Sequence, residues 1–355
     1  MKRILALVAL CFPLVSGCTK KSDEILIGQY GSMTGNDATF GISTDKGVRM
    51  AIDEVNQAGG VKGKKIKLIT VDTQGKTEEA AAAVTRLIKQ DKVIAILGEV
   101  ASSRSKAAAP IAQKAGIPMI SPSSTNPAVT EIGDYIFRVC FIDPFQGFVM
   151  AKFATENLKV KKAAILRDIK NDYSVGLADV FASEFKKMGG TIVADLTYSA
   201  GDIDFKPQLT EIRGKKPDAV FIPGYYTEVG LIAKQAREIG IKVPLLGGDG
   251  WDSSKLNEIG KEAVNGSYYS NHYTNESSDQ AVQNFIAKFK QKYNETPDGL
   301  AAMGYDAARV LIAAMERAPE LTPKAIRDEI AKTTNFPGVT GSITINEQRN
   351  AVKPA

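Results

Sequence analysis

Nine short apolar runs, alternating with stretches of helical periodicity, constrain the fold of this chain more than any other feature. The runs are residues 25–30, 66–71, 93–97, 117–120, 135–139, 163–166, 192–198, 219–222 and 243–246. Each is continuous in apolarity rather than alternating, as in strands buried on both faces. Between them lie amphipathic stripes: Val48, Ala51, Ile52, Val55 and Ala58; Ala80, Val84, Leu87 and Ile88; and Ala107, Ala108, Ile111, Ala112 and Ala115. Strand followed by helix, repeated this often, predicts parallel sheets covered on both faces by right-handed crossovers. The chain has 355 residues, and at roughly 100–200 residues per domain that length predicts two such α/β lobes. Beyond Gly299 the pattern is mostly helical, over 299–318 and 323–333, before a short strand at 342–346. No fixed-period repeat or low-complexity segment interrupts the pattern.

The N-terminus reads as an address. Lys2 and Arg3 precede an apolar stretch, residues 4–14, far shorter than the ~20 residues of a membrane-spanning helix. Leu14-Val15-Ser16-Gly17-Cys18 then resembles the lipobox of bacterial lipoproteins, which implies that residues 1–17 are a cleaved signal and that Cys18 carries lipid. Residues 18–24 become a short polar tether. Cys11 leaves with the signal, so Cys140 is the only thiol left and no intramolecular disulfide is available.

Composition narrows the chemistry. Lys plus Arg number 45 against 40 acidic residues, without a basic block, which argues against nucleic acid as a partner. His272 is the only histidine. That excludes a His-rich metal site and argues against a hydrolase that needs a His base; the residue itself reads as a surface or strand-end position. The dinucleotide, P-loop and nucleophile-elbow motifs are all missing. An exported α/β chain without catalytic machinery suggests a binding protein, with no cofactor or metal.

In open α/β sheets ligands sit beyond the carboxyl ends of strands, where helix N-termini present free N–H groups. Four junctions stand out. Gly98-Glu99-Val100-Ala101-Ser102-Ser103 offers backbone donors and two hydroxyls to a carboxylate, or Ser102 and Ser103 simply cap the helix. Ser121-Pro122-Ser123-Ser124-Thr125-Asn126-Pro127 is a hydroxyl-rich turn that supplies further polar groups, or a plain loop. In Gly247-Gly248-Asp249-Gly250-Trp251, Asp249 either holds a cation or bonds its own turn. Pro223-Gly224-Tyr225-Tyr226 brings aromatics that wall a pocket or plug a sheet edge. Together these features suit a zwitterion.

These stretches, and the run Gly47-Val48-Arg49-Met50-Ala51-Ile52-Asp53-Glu54-Val55-Asn56-Gln57-Ala58-Gly59-Gly60-Val61-Lys62-Gly63, resemble the leucine/isoleucine/valine-binding proteins of ABC importers. The likeness runs from about Ile25 to about Asn350. It implies a type I periplasmic-binding-protein fold, in which two doubly wound parallel-sheet lobes are joined by a three-strand hinge near residues 140–143, 271–274 and 338–341. Lobe one is then 25–140 plus 274–338, and lobe two 141–273 plus 339–355. Relatives that continue into further second-lobe structure imply that a chain stopping at Ala355 is truncated.

Residue by residue, the resemblance implies that Ser102 and the backbone around Ser123 hold a ligand's α-carboxylate, and that Thr125 contacts its carboxylate or amine. Asp249 takes the α-ammonium. Tyr173 and Tyr225 close over the ligand from the second lobe, and Phe40 and Tyr305 lie near its side chain in the first. Gly75 and Ala101 stand where some relatives have a disulfide, so packing must stiffen the carboxylate loop. The implied activity is capture of an apolar or branched-chain amino acid by a monomer tethered to the membrane, and delivery to the membrane subunits of an ABC permease. The same frame in other relatives binds amides, urea or other carboxylates, and a ligand-sensing module for a membrane receptor fits the sequence equally.

Overall fold

A computed structural model describes residues 24–353, so the signal, Cys18 and most of the tether lie outside the described residues. In the first lobe the chain runs through β1 (Glu24–Gly31), α1 (Ala38–Gln57), β2 (Lys65–Asp72), α2 (Thr77–Lys89), β3 (Ala95–Leu97), α3 (Ser102–Ala115), β4 (Met119–Ser121), α4 (Ala128–Glu131) and β5 (Ile136–Arg138). The second lobe follows with α5 (Asp143–Lys152), β6 (Lys162–Asp168), α6 (Asp172–Lys187), β7 (Thr191–Tyr198), α7 (Lys206–Lys215), β8 (Ala219–Phe221), α8 (Tyr226–Glu238), β9 (Leu245–Gly247), α9 (Ser254–Gly260) and β10 (Tyr268–Tyr269). The remainder is α10 (Gln280–Tyr293), α11 (Gly299–Arg317), α12 (Pro323–Ala331), β11 (Phe336–Gly338), β12 (Gly341–Ile345) and β13 (Ala351–Val352).

Two five-stranded sheets result, ordered β2-β1-β3-β4-β5 and β10-β9-β8-β6-β7, and all their pairings are parallel. All nine apolar runs are strands. In each sheet the strand order reverses beside the first strand, between β1 and β3 and between β6 and β8. Loops diverge there and leave a crevice at the carboxyl ends. Helices cover both faces, as the continuous apolarity of the strands demands. Val48, Ala51 and Ile52 of α1 bury against one face of the first sheet, and Ala80, Val84 and Leu87 of α2 against the other. In the second lobe α7 and α8 cover one face, and α5 and α6 the other.

The first lobe is completed from far along the chain. Helix α11 lies against α1 so closely that a Cβ on Gly47 would sit 1.9 Å from the Ala301 carbonyl oxygen. Only glycine permits that backbone approach, and the crossing buries Ala301, Ala302, Tyr305 and Ala308 in the first-lobe core.

One boundary is corrected. Residues 339–352 were expected in the second lobe, yet Val339, Ile343, Ile345 and Ala351 bury in the first-lobe core. The third hinge strand, expected near 338–341, is instead the turn between antiparallel β11 and β12. Asp306 of α11 pins that turn, accepting from Val339 N (2.8 Å) and Thr340 N (2.9 Å). The Arg349 carbonyl accepts from Arg138 N at 3.1 Å, which ties the segment to the end of β5. Among the described residues the chain passes between lobes twice, after β5 and after β10.

Candidate functional site

The first-lobe wall is built by β3, β4 and the loops that follow them. Ser102 opens α3, and its Oγ accepts from Asn126 N at 3.2 Å, which joins the two loops and leaves its proton free to donate. The hydroxyl-rich turn divides its labour. Ser121 Oγ donates to the Glu99 carbonyl (2.8 Å) and accepts from Ser124 N (2.9 Å), while Ser124 Oγ bonds the Glu99 and Val100 carbonyls, each at 2.9 Å. Arg138, fully buried, donates to the Ser124 carbonyl (2.5 Å) and the Pro127 carbonyl (3.1 Å). These bonds hold the loop in place, and Ser123 is left at the cavity.

The loop before α3 is stiffened by charge. Arg104 donates to Asp37 Oδ2 (2.7 Å) and Glu99 Oε1 (3.1 Å). Its Nη1 lies 3.3 Å from where a Cβ on Gly75 would stand, so the guanidinium occupies the space beside that glycine. Burial raises the Glu99 carboxyl above its usual range, with Arg104 opposing. Burial also works against the Arg104 charge, but Glu99 and Asp37 outweigh it and keep the guanidinium protonated.

The second-lobe wall comes from the start of α6 and the turns after β8 and β9. Asp249 opens a 3-10 turn, Asp249–Trp251, whose backbone is tied down independently of the carboxylate. Tyr173 Oη accepts from Gly250 N at 3.1 Å, Gln146 Oε1 accepts from Asp249 N at 3.4 Å, and Trp251 Nε1 donates to the Ile222 carbonyl at 2.9 Å. The Tyr173 and Tyr225 rings stack at 5.4 Å, and Phe40 meets Tyr225 edge-on at 5.2 Å across the crevice. Burial, reinforced by Asp249, raises the Tyr173 phenol well above its usual value, so Tyr173 stays a neutral hydroxyl.

The lobes meet. Tyr226 Oη and Thr227 Oγ1 of α8 donate to the Asn36 carbonyl at 2.8 and 2.9 Å, Asp172 N donates to Ser103 Oγ at 2.9 Å, and Gly299 N donates to Asp252 Oδ2 at 2.7 Å. Between them lies a small cavity lined by Phe40, Val100, Ser102, Ser123, Tyr173, Tyr225, Asp249, Gly250 and Leu300, with about 240 Å³ of empty space. Ser102, Ser123 and Asp249 form its polar side; Phe40, Val100 and Leu300 form its apolar side. Oδ2 of Asp249 is 3.3 Å from Ser123 Oγ, which donates to it, while Oδ1 is buried without a partner. A buried carboxylate oxygen lacking a donor is costly, and a cationic ligand group would supply one. A wider cleft, lined by Asn36, Lys76, Asp168 and Asn171 among others, opens on the far side of Tyr225.

Six of the eight site residues named from the sequence therefore converge on one cavity. Thr125 and Tyr305 do not line it. Thr125 is buried within the loop, and its carbonyl accepts from Asp143 N at 3.0 Å. Tyr305 is corrected: it packs on Phe285 between helices, and its hydroxyl donates to Glu54 Oε2 at 2.6 Å. Its position in α11 turns the ring into the first-lobe core, away from the crevice. Val100, Gly250 and Leu300 complete the wall, and the first two sit inside motifs already singled out. His272 takes the strand-end alternative and not the surface one. It lies just past β10 with its side chain buried, Nε2 3.1 Å from Asp249 Oδ2 and its ring on Phe141 at 3.6 Å between centroids. Among the described residues no cluster of three or more His, Cys, Asp or Glu could hold a metal, and no helix is long and apolar enough to cross a membrane.

The chain as a whole has known counterparts. The family model described as "periplasmic binding protein" matches residues 24–354. A leucine-, isoleucine-, valine-, threonine- and alanine-binding protein of Pseudomonas aeruginosa is 30% identical over 92% of this chain and 87% of its own. An amino acid binding protein from the same organism is 36% identical, and there the match spans 66% of this chain and 62% of the relative. Among solved structures, the leucine binding protein LivK of Thermotoga maritima superposes with a TM-score of 0.89 at 42% identity, covering 93% of each chain. The branched-chain amino acid transporter substrate binding protein LivJ of Streptococcus pneumoniae, in complex with isoleucine, gives a TM-score of 0.89 at 37% identity, covering 93% of this chain and 94% of that one.

Proposed function

The chain belongs to the periplasmic binding protein family, among the substrate-binding proteins of branched-chain amino-acid ABC transporters and not among enzymes, and on that footing we propose that it captures a free apolar L-amino acid, with leucine, isoleucine or valine first. The observation that carries this reading is the unpartnered Oδ1 of Asp249 on the polar side of a small cavity whose other side is Phe40, Val100 and Leu300. The ligand's ammonium meets Asp249. Its carboxylate meets Ser102, the backbone around Ser123 and the N-terminal donors of α3, and its side chain meets the apolar wall. Because each lobe supplies only part of this shell, ligand favours the closed form through contacts that an open cleft lacks. The buried carboxylate also favours a zwitterion over a plain carboxylate or urea, neither of which offers a cation. The rest of the proposal is an exported monomer, held to the membrane by lipid on Cys18, that hands its ligand to an ABC permease.

A thermal-shift screen of the purified protein against amino acids, amides, urea and small carboxylates tests the reading. At 100 times the dissociation constant, ligand that binds only the folded form adds ~2.7 kcal/mol, enough to raise the melting point by a few degrees. Leucine, isoleucine or valine giving the largest shift supports the proposal; a shift with urea, an amide or a deaminated acid alone overturns it.

A further inference from the structure

We infer that His272 is a positioning residue for the ligand site: its imidazole fixes one oxygen of Asp249 and so aims the other at the cavity. The inference rests on the ligand reading above for what Oδ1 receives, but the contact itself stands on geometry. Oδ2 lies 3.1 Å from His272 Nε2 and 3.3 Å from Ser123 Oγ, while Oδ1 has no donor. Asp249 follows β9 in the second lobe, Ser123 follows β4 in the first, and His272 lies on the segment that joins the lobes. Three separate parts of the chain thus meet at one carboxylate.

An ionised carboxylate only accepts hydrogen bonds, so Nε2 must carry a proton, and in the neutral ring Nδ1 is then bare. Nδ1 is buried and has no partner in the protein. The tilted ring of Phe141, 3.6 Å away, sets the imidazole plane. The charged groups facing the ring are Asp249 and Lys353; burial and Lys353 hold it below its usual pKa, and Asp249 pulls the other way. A neutral ring fits a positioning role, because it donates a hydrogen bond and leaves the carboxylate its full charge for a ligand ammonium. An imidazolium would compete with that ammonium for the same group.

Because His272 is the chain's only histidine, ¹⁵N-histidine labelling of the full chain gives a single imidazole, readable without ligand. The expected spectrum is the Nε2–H tautomer, still neutral at pH 6.5, where an ordinary histidine is about half protonated, with both ring nitrogens displaced by Asp249→Asn. An Nδ1–H tautomer, an ordinary titration, or signals unmoved by Asp249→Asn would overturn the assignment. In the binding arm the probe is L-leucine. His272→Leu should weaken it about 10- to 100-fold, as for loss of a hydrogen bond to a charged group. His272→Gln, whose amide nitrogen reaches the place of Nε2, should recover most of that loss. Neither change should alter the response to 4-methylpentanoate, which has leucine's side chain and carboxylate but no ammonium. Equal weakening by Leu and Gln, or of both ligands, would mean a merely structural role. If the wild-type protein binds no apolar amino acid, the function proposed above fails, and the imidazole spectrum alone then decides the positioning.

Discussion

Replacing Asp249 with asparagine keeps the shape of the side chain and removes its charge, and the surroundings allow the effect to be worked out. Ser123 Oγ and His272 Nε2 both donate to one oxygen, so the asparagine carbonyl takes that position and its NH₂ group replaces the bare Oδ1. A donor then faces the ligand's ammonium in a closed cavity. Leaving a buried charge unpaired costs about 2–5 kcal/mol, which at ~1.4 kcal/mol per decade weakens binding roughly thirty- to several-thousand-fold. The fold should barely respond, by less than about 1 kcal/mol, because Tyr173, Gln146 and Trp251 hold the turn through its backbone and ring. Titration calorimetry with the best ligand of the screen, beside thermal denaturation of the unliganded variant, separates the two effects. Affinity near that of the wild type would refute the assignment of Asp249 and the zwitterion scheme with it; a turn-forming role predicts instead a large loss of stability with little change in affinity.

Three further outcomes can be measured. Tyr305→Phe should leave ligand affinity unchanged and lower stability by about 0.5–1.5 kcal/mol through loss of the bond to Glu54; a clear fall in affinity by calorimetry would return Tyr305 to the site. Asp252 is pushed up to about 7 by burial and then by Asp298, so between the ordinary carboxylate value of ~3.9 and about 7 the folded protein binds more protons than the unfolded chain, and stability from this group falls as pH rises through that window. Asp252→Asn should therefore gain on the wild type as pH goes from 5 to 8 in denaturant titrations, and a pH-independent difference would contradict the burial argument. Cys18→Ser should abolish incorporation of radiolabelled fatty acid in a bacterial host, and continued labelling would show that the lipid sits elsewhere.

What the sequence could and could not reveal follows from the range of the forces involved. The inner strands were legible because a strand covered on both faces must be apolar throughout, a local property, whereas the edge strands β2 and β7 carry Lys67 and Asp195 within their runs. The Gly98, Ser121 and Gly247 junctions were legible because the carboxyl ends of parallel strands are where such sheets leave room. The orientation of Tyr305 is not legible, because its rotation about α11 depends on the α1–α11 crossing, between helices more than 200 residues apart. The placement of β11–β13 depended on Asp306 catching a turn more than 30 residues later, and no periodicity announces such a bond. His272 lies in an irregular connection whose polar neighbours resemble any surface loop, so only the fold brings it to Asp249. Its rarity in the composition is the one available signal, and rarity argues against a His-dependent catalyst without marking a site.

The crossing of α1 and α11 also sets an order of assembly. Residues 143–269 contain every strand of the second sheet, so that half can close its hydrogen-bond ladders as soon as it has been synthesised. The other half cannot. Its strands β1 to β5 are made first, yet the core on one of their faces needs Ala301, Leu311 and Ile343. Until those arrive that face stays wet, and the entropy of closing so long a loop opposes early pairing. A ribosome-bound chain lacking α11 should hold a protease-resistant second lobe and a cleavable first one. The lobe whose strands are made first is thus the last to be finished, and its exposed apolar face is where a chaperone has most to cover.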